Sequence, residues 1–115
     1  MEPEALATAL AAATLEKKAK DLSILDLRSL IDYSDIFVIC TAGNRRQVQA
    51  IADEVRRVGR EVLGVRHMGV EGLEAARWVL VDFGSVVVHI FDEPLRAFYN
   101  LDGLWADAPR LANPE

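Results

Sequence analysis

Apolar residues recur along this chain with two periods, and the alternation between them sets out an α/β domain. Residues 3–19 carry Leu6, Leu10 and Ala13 at helical spacing, with Pro3 and Glu4 suited to a first turn and Lys17, Lys18 and Lys20 at the far end. The stripe is thin and alanine-rich, so this helix is expected to pack on something larger. Residues 23–28 (SILDLR) alternate, setting Ile24, Asp26 and Arg28 against Leu25 and Leu27, as in a strand near a sheet edge. Asp32-Tyr33-Ser34-Asp35 reads as a turn. Residues 36–41 (IFVICT) form a continuous apolar run, which predicts a central strand buried on both faces.

Asn44 is a good N-cap for a helix over residues 45–63, whose stripe is Val48, Ile51, Val55, Val58 and Val62, with Gly64 as its stop. A short strand over 65–68 would complete a right-handed strand–helix–strand crossover and a parallel pair. Residues 69–76 (GVEGLEAA) read as a loop. Residues 77–83 (RWVLVDF) and 86–91 (VVVHIF) predict two strands joined at Gly84-Ser85. Asp92 caps a short helix with Leu95, Phe98 and Tyr99 on one face, and Leu101, Leu104 and Trp105 follow. The expected architecture is a five-stranded mixed sheet flanked by helices, one domain over residues 1–108 with a disordered tail over 109–115.

Composition narrows the class. The chain has 115 residues, 51% hydrophobic and 27% charged, which suits a globular domain. No 18-residue apolar run is present and the start, Met-Glu-Pro-Glu, is acidic, so the expectation is a cytoplasmic protein with neither membrane span nor secretory leader. One cysteine precludes an internal disulfide and a multi-cysteine zinc site. The net charge of −5 is uneven: residues 44–66 carry six arginines against three acids, whereas 67–115 carry three arginines against eight acids. Such a balance disfavours DNA as a partner, because affinity for phosphate comes from Lys and Arg, and the acidic C-terminal half suits a basic protein. The arginines of residues 45–63 leave at most a minor contact with RNA.

The usual catalytic constellations are missing. His67 and His89 stand 22 residues apart without a neighbouring ligand; His89 falls inside an apolar strand, where a core role is expected, and His67 is expected to be solvated. Cys40 reads as packing. The strand-to-helix turn Thr41-Ala42-Gly43-Asn44 is a natural anion site but lacks the glycines and lysine of a phosphate loop. A minimal nucleotidyltransferase would need two acids on alternate strand residues to hold magnesium, yet Asp26 alternates with Ile24 and Arg28, and Asp82 with Leu80 and Gly84. No cofactor is called for. What remains is a surface: strand periodicity puts Trp78, Leu80 and Asp82 on one face, with Tyr99, Leu104 and Trp105 close in sequence to the next strand and Glu71 in the neighbouring loop. Core packing of both tryptophans is the competing reading.

Five segments together resemble the ribosomal silencing factor family, the Iojap-like proteins: KAKDLSILDLR (18–28), YSDIFVICTAGNRRQVQAIADEV (33–55), GVEG (69–72), WVLVDFGSVVVHIF (78–91) and RAFYNLDGLWADA (96–108). The resemblance implies a nucleotidyltransferase-like mixed sheet without catalytic acids. It implies a non-enzymatic translational repressor that binds the large ribosomal subunit through its ribosomal protein fourteen and blocks small-subunit joining when nutrients are short. Self-association as a homodimer off the ribosome is also implied. The residues carried over as partner contacts are Gly69, Glu71, Gly72, Trp78, Leu80, Asp82, Tyr99, Leu101, Leu104 and Trp105, with Glu71, Asp82, Asp92 and Glu93 as an acidic patch. Ser85 departs from the family's usual acid, Asp102 stands where Glu is common, and Gly103 is expected to loosen its turn. Two other readings compete: nucleotide binding at residues 41–46, and a dimer that buries Trp78 against its own mate.

Overall fold

The computed structural model describes residues 1–30 and 35–114; the turn expected at 32–35 lies mostly outside them. The elements are α1 (Pro3–Glu16), β1 (Lys20–Asp26), β2 (Ile36–Ala42), α2 (Arg45–Arg57), β3 (Gly69–Glu71), β4 (Trp78–Asp82), β5 (Val86–Asp92), α3 (Glu93–Tyr99) and α4 (Leu101–Leu104). They build a five-stranded mixed sheet in the order β1-β2-β5-β4-β3. Among the described residues no helix is long and apolar enough to cross a membrane.

The two continuous apolar runs, β2 and β5, are buried along almost their whole length and lie side by side at the centre, in parallel. A strand that is apolar on both faces needs cover on both, and only the centre of the sheet supplies it. The parallel pair expected between residues 36–41 and 65–68 therefore does not form. Residues 65–68 are not a strand; the ladder is taken up by Gly69–Glu71, which pairs antiparallel with β4 at the sheet edge. The segment 69–71, expected as loop, is the fifth strand, short and partly exposed as edge strands commonly are.

One face of the sheet is closed by α1 and α2. Leu6, Leu10, Val48, Ile51 and Val55 meet Ile24, Val38, Cys40, Val79, Val81, Val88 and Ile90 in one buried cluster. Cys40 is wholly inside it, and burial pushes its thiol up to about 12, so it serves as a packing residue. The second helix differs from expectation at its end. A π-helical turn over Val58–Val62 adds a residue to the winding, so Val62 leaves the stripe and is 64% exposed, while Gly59 turns inward. A Cβ at Gly59 would stand 2.7 Å from Phe83, so the wide turn and the missing side chain together admit the phenyl ring.

The C-terminal residues also depart from expectation. Instead of a disordered tail, residues 109–113 run beside β1: Asp26 N–H donates to Pro109 O at 2.8 Å, Leu111 N–H to Ile24 O at 2.9 Å, and Asn113 Nδ2 to Leu22 O at 3.0 Å. An open strand edge leaves unpaired N–H and C=O groups, and this segment satisfies several of them. Leu25 and Leu27 are fully buried in the cluster that Leu101, Trp105 and Ala108 join.

Candidate functional site: the half-covered face of the sheet

The second face is only partly roofed. Its residues follow from the ladder: Glu71 stands opposite Leu80, Leu80 opposite His89, and His89 opposite Ile39; Asp82 stands opposite Val87, and Val87 opposite Phe37; Trp78 stands opposite Phe91. Over β1, β2 and the end of β5, the segments α3, α4 and 105–108 supply Leu95, Leu101, Trp105 and Ala108 as cover. Over β4 and β3 nothing comparable lies among the described residues. Two adjoining clefts open there. One, of about 250 Å³, is lined by Glu71, Gly72, Trp78 and Leu80. The other, of about 180 Å³, is lined by Phe37, Glu71, Leu80, Asp82, Val87 and His89.

Trp78 stands at the border between the roofed and the open parts. Its ring stacks on Phe91 with centroids 4.8 Å apart and leans on Tyr99 at 4.7 Å. Its indole N–H donates to His89 Nδ1 at 3.2 Å. Both readings of this tryptophan therefore hold in part: it is packed on one side and lines the cleft on the other. Leu80 is half-buried beside it. Gly72 takes φ +88°, and a Cβ there would run into the Trp78 carbonyl, so the glycine lets the loop close against the strand.

The ten predicted contact residues fall in three places. Gly69, Glu71, Gly72, Trp78, Leu80 and Asp82 gather on β3 and β4 around the clefts. Tyr99 joins them through Trp78 and is 46% exposed. Leu101 and Trp105 instead turn toward the sheet and pack with Leu25, Leu27 and Ile39. Leu104 points outward, 68% exposed. Gly103 does not loosen its turn: a Cβ there would overlap the Asn100 side chain, whose Oδ1 accepts from Gly103 N–H at 3.2 Å and caps α4.

The acidic patch is smaller than expected. Asp92 caps α3 by accepting from Leu95 N–H and is paired with Arg77 at 2.8 Å. Burial pushes its carboxyl up, but Arg77 and the Leu95 N–H outweigh that and hold it below the usual range. Glu93 is paired with Lys20. Asp82 Oδ1 accepts from Gly84 N–H at 2.7 Å, fastening the hairpin turn. Glu71 is exposed at the rim of both clefts.

Three features escaped the sequence reading. Phe98 is 78% exposed and stands edge-on to Tyr99 at 5.1 Å, extending the aromatic surface. His89 belongs to the cleft wall, which only the register of β5 against β4 could reveal. Arg96 is the clamp of the partial roof: it donates to Thr41 Oγ1 at 2.9 Å and Ser23 Oγ at 3.3 Å, and pairs with Asp102 at 3.0 Å. Arg110 reaches the same Asp102 at 3.4 Å, so α3, α4 and the C-terminal segment are pinned to β1 and β2 through one network. His67, expected to be solvated, is half-buried edge-on to Phe83, and burial lowers its affinity for a proton.

The turn considered for nucleotide binding is occupied by its own chain. Gly43 N–H donates to Gln47 Oε1 at 2.6 Å and Gln47 N–H to Asn44 Oδ1 at 2.8 Å, while Gln47 Nε2 donates to Lys17 O and Lys18 O. Two of the donors that an anion would use, the Gly43 and Gln47 N–H groups, are thus spent within the chain. Asp26 is engaged by Arg28 at 2.6 Å. Among the described residues no group of three His, Cys, Asp or Glu side chains could hold a metal.

Comparison with known proteins agrees with this architecture. The family model described as "Ribosomal silencing factor during starvation" matches residues 1–115. A relative from Halalkalibacterium halodurans named ribosomal silencing factor RsfS is 45% identical over 96 residues, 84% of this chain and 81% of that one. The chloroplastic protein Iojap of Zea mays is 37% identical over 108 residues, 94% of this chain and 46% of the longer plant protein. A crystal structure of a Chromobacterium violaceum protein superposes with a TM-score of 0.89 at 33% identity, covering 100% of this chain and 92% of that one. A second, from Bacillus halodurans, gives 0.77 at 42% identity over 90% and 93%. With a match along its full length and relatives at this identity, the chain belongs to the ribosomal silencing factor family.

Proposed function

We propose that this protein is a non-enzymatic translational repressor of the cytoplasm. It binds the large ribosomal subunit through ribosomal protein fourteen and, from that position, blocks joining of the small subunit by volume. The observation that carries the reading is the half-covered face: an aromatic and aliphatic cleft at Trp78, Leu80, Phe37 and Val87, rimmed by Glu71 and Asp82. Aromatic residues around a desolvated centre with a polar rim are what protein interfaces use. A standard interface takes about 800 Å² from each partner, and Tyr99 and Phe98 extend the face beside the clefts. The carboxylates suit a basic partner protein, and the name of the family and of its Halalkalibacterium halodurans member supplies the ribosome as its setting.

The test uses purified large and small subunits, cosedimentation, and a subunit-joining assay. The wild-type protein is expected to sediment with large subunits alone and to reduce the joined particle. Trp78→Glu and Leu80→Arg, each folded by circular dichroism, are expected to lose association by about 100-fold, the loss of a central interface residue. Trp78→Glu will also lower stability, because the indole packs on Phe91 and Tyr99. Wild-type association by both folded variants would sink the assignment of this face.

A further inference from the structure

Of the four acids expected to form a patch, three are spent within the chain. Asp92 is paired with Arg77 and caps α3, Glu93 is paired with Lys20, and Asp82 fastens the hairpin turn. Glu71 alone of the four makes no ion pair or hydrogen bond among the described residues. The edge strand sets its position. Val70 packs toward the helices, so alternation turns Glu71 to the open face, opposite Leu80 and diagonal to Trp78. Glu71 lines both clefts, and no Lys or Arg lines either. His89 adds no positive charge to the wall, because burial keeps its ring neutral with its pKa down at about 4.

The clefts narrow what can enter. Small-molecule sites usually span roughly 300 to 1,000 Å³, whereas these hold about 250 and 180 Å³, room for a single side chain. Their walls are apolar at Trp78, Leu80, Phe37 and Val87, and the one unspent charge is negative and stands at the rim. A long basic side chain matches both features: its aliphatic stem covers apolar wall while its charged head stays at the wet rim. A cation is also drawn to an indole ring. Edge strands commonly carry a charge as a guard against pairing, but a guard works with either sign and needs no apolar cleft beside it.

We infer that Glu71 pairs with one lysine or arginine of the protein partner, whose aliphatic stem lies along Leu80 and Trp78 in the cleft. The pair forms beside residues that exclude water, so it holds the partner rather than only steering it. Charge selection on this face is then the work of one residue and not of a patch. The inference rests on the ribosome-binding reading and names the partner chemistry of that same cleft.

The experiment measures association and dissociation rates with purified large ribosomal subunits. Glu71 is exposed, so Glu71→Gln and Glu71→Lys should fold with the melting temperature of the wild type. Glu71→Gln should weaken binding about tenfold, chiefly through faster dissociation, and Glu71→Lys about 100-fold, because like charges then meet. Trp78→Phe should lose a smaller factor. The double variant Glu71→Gln/Trp78→Phe should lose less than the product of the two single factors, because both groups hold the same side chain. Affinity of Glu71→Gln within twofold of wild type, a loss confined to the association rate, or independent factors in the double variant would overturn the inference. If Glu71→Lys binds normally while Trp78→Glu does not, only the charge pair falls; if Trp78→Glu also binds normally, the face assignment itself has failed.

Discussion

The two faces of the sheet are built from neighbouring residues of the same strands, yet they differ in kind. The face under α1 and α2 is almost wholly aliphatic, with Phe83 its one large ring among the described residues. The opposite face is aromatic: Phe37, Phe91 and Trp78 from the strands, with Tyr99 and Trp105 from the segments laid over it, and a buried histidine among them. Aliphatic side chains interdigitate to close a core between helices and sheet. Flat rings with a polar edge serve a surface that is apolar at its centre and wet at its rim. The first face is finished by the chain itself, and the second is left open over β4 and β3. Stability belongs mainly to the one, and the proposed recognition to the other.

That separation can be broken by substitution. The largest effect is expected on the closed face. Leu10→Ala removes a fully buried side chain from α1 and should cost about 3 kcal/mol in urea unfolding. Affinity of the folded fraction for large subunits should be unchanged, and a parallel loss of affinity would show that the faces are coupled.

The next effect is read by pH. In the unfolded chain His89 titrates near 6.5, whereas in the folded chain it stays neutral down to about 4. Between those values the unfolded state binds the extra proton, so stability from this residue is complete above 6.5 and is lost as pH falls toward 4, a loss on the order of 2 to 3 kcal/mol. Urea unfolding of wild type and His89→Phe at pH 7.5 and 4.5 checks this. The variant should lose less on acidification, and an equal loss would place the acid sensitivity in the carboxylates alone.

A smaller effect sharpens the boundary between the faces. Arg96→Ala removes the half-buried clamp that holds α3 and α4 over β1 and β2, and should cost about 1 to 2 kcal/mol. Because Tyr99 leans on Trp78, limited proteolysis should cut residues 93–113 first, and affinity for large subunits should fall modestly. Unchanged cleavage would mean that apolar cover from Leu101 and Trp105 holds the roof without the network.

Much of this was legible before any coordinates. The continuous apolar run of β2 announced a central strand and that of β5 a strand, Asn44 and Asp92 announced helix starts, and alternation along β4 assigned Trp78, Leu80 and Asp82 to one face. Pairing was harder. Gly69–Glu71 is too short and too rich in glycine to show a period, so the edge strand read as loop. The π-helical turn defeated the stripe at Val62, because one added residue shifts everything after it around the axis. The partners of Asp92, Glu93 and Arg96 are distant in sequence, and no spacing rule reaches them. His89 looked like core because it is core; its place in the cleft wall emerges only when β4 is laid beside it.

The central claim is that the open face over β4 and β3 is the recognition surface. Hydrogen–deuterium exchange of the protein free and bound to purified large subunits tests it most directly. The account predicts slowed exchange across residues 69–82 and 98–99, with α1 and α2 unchanged. Protection confined to α1 and α2, with 69–82 exchanging as in the free protein, would contradict it.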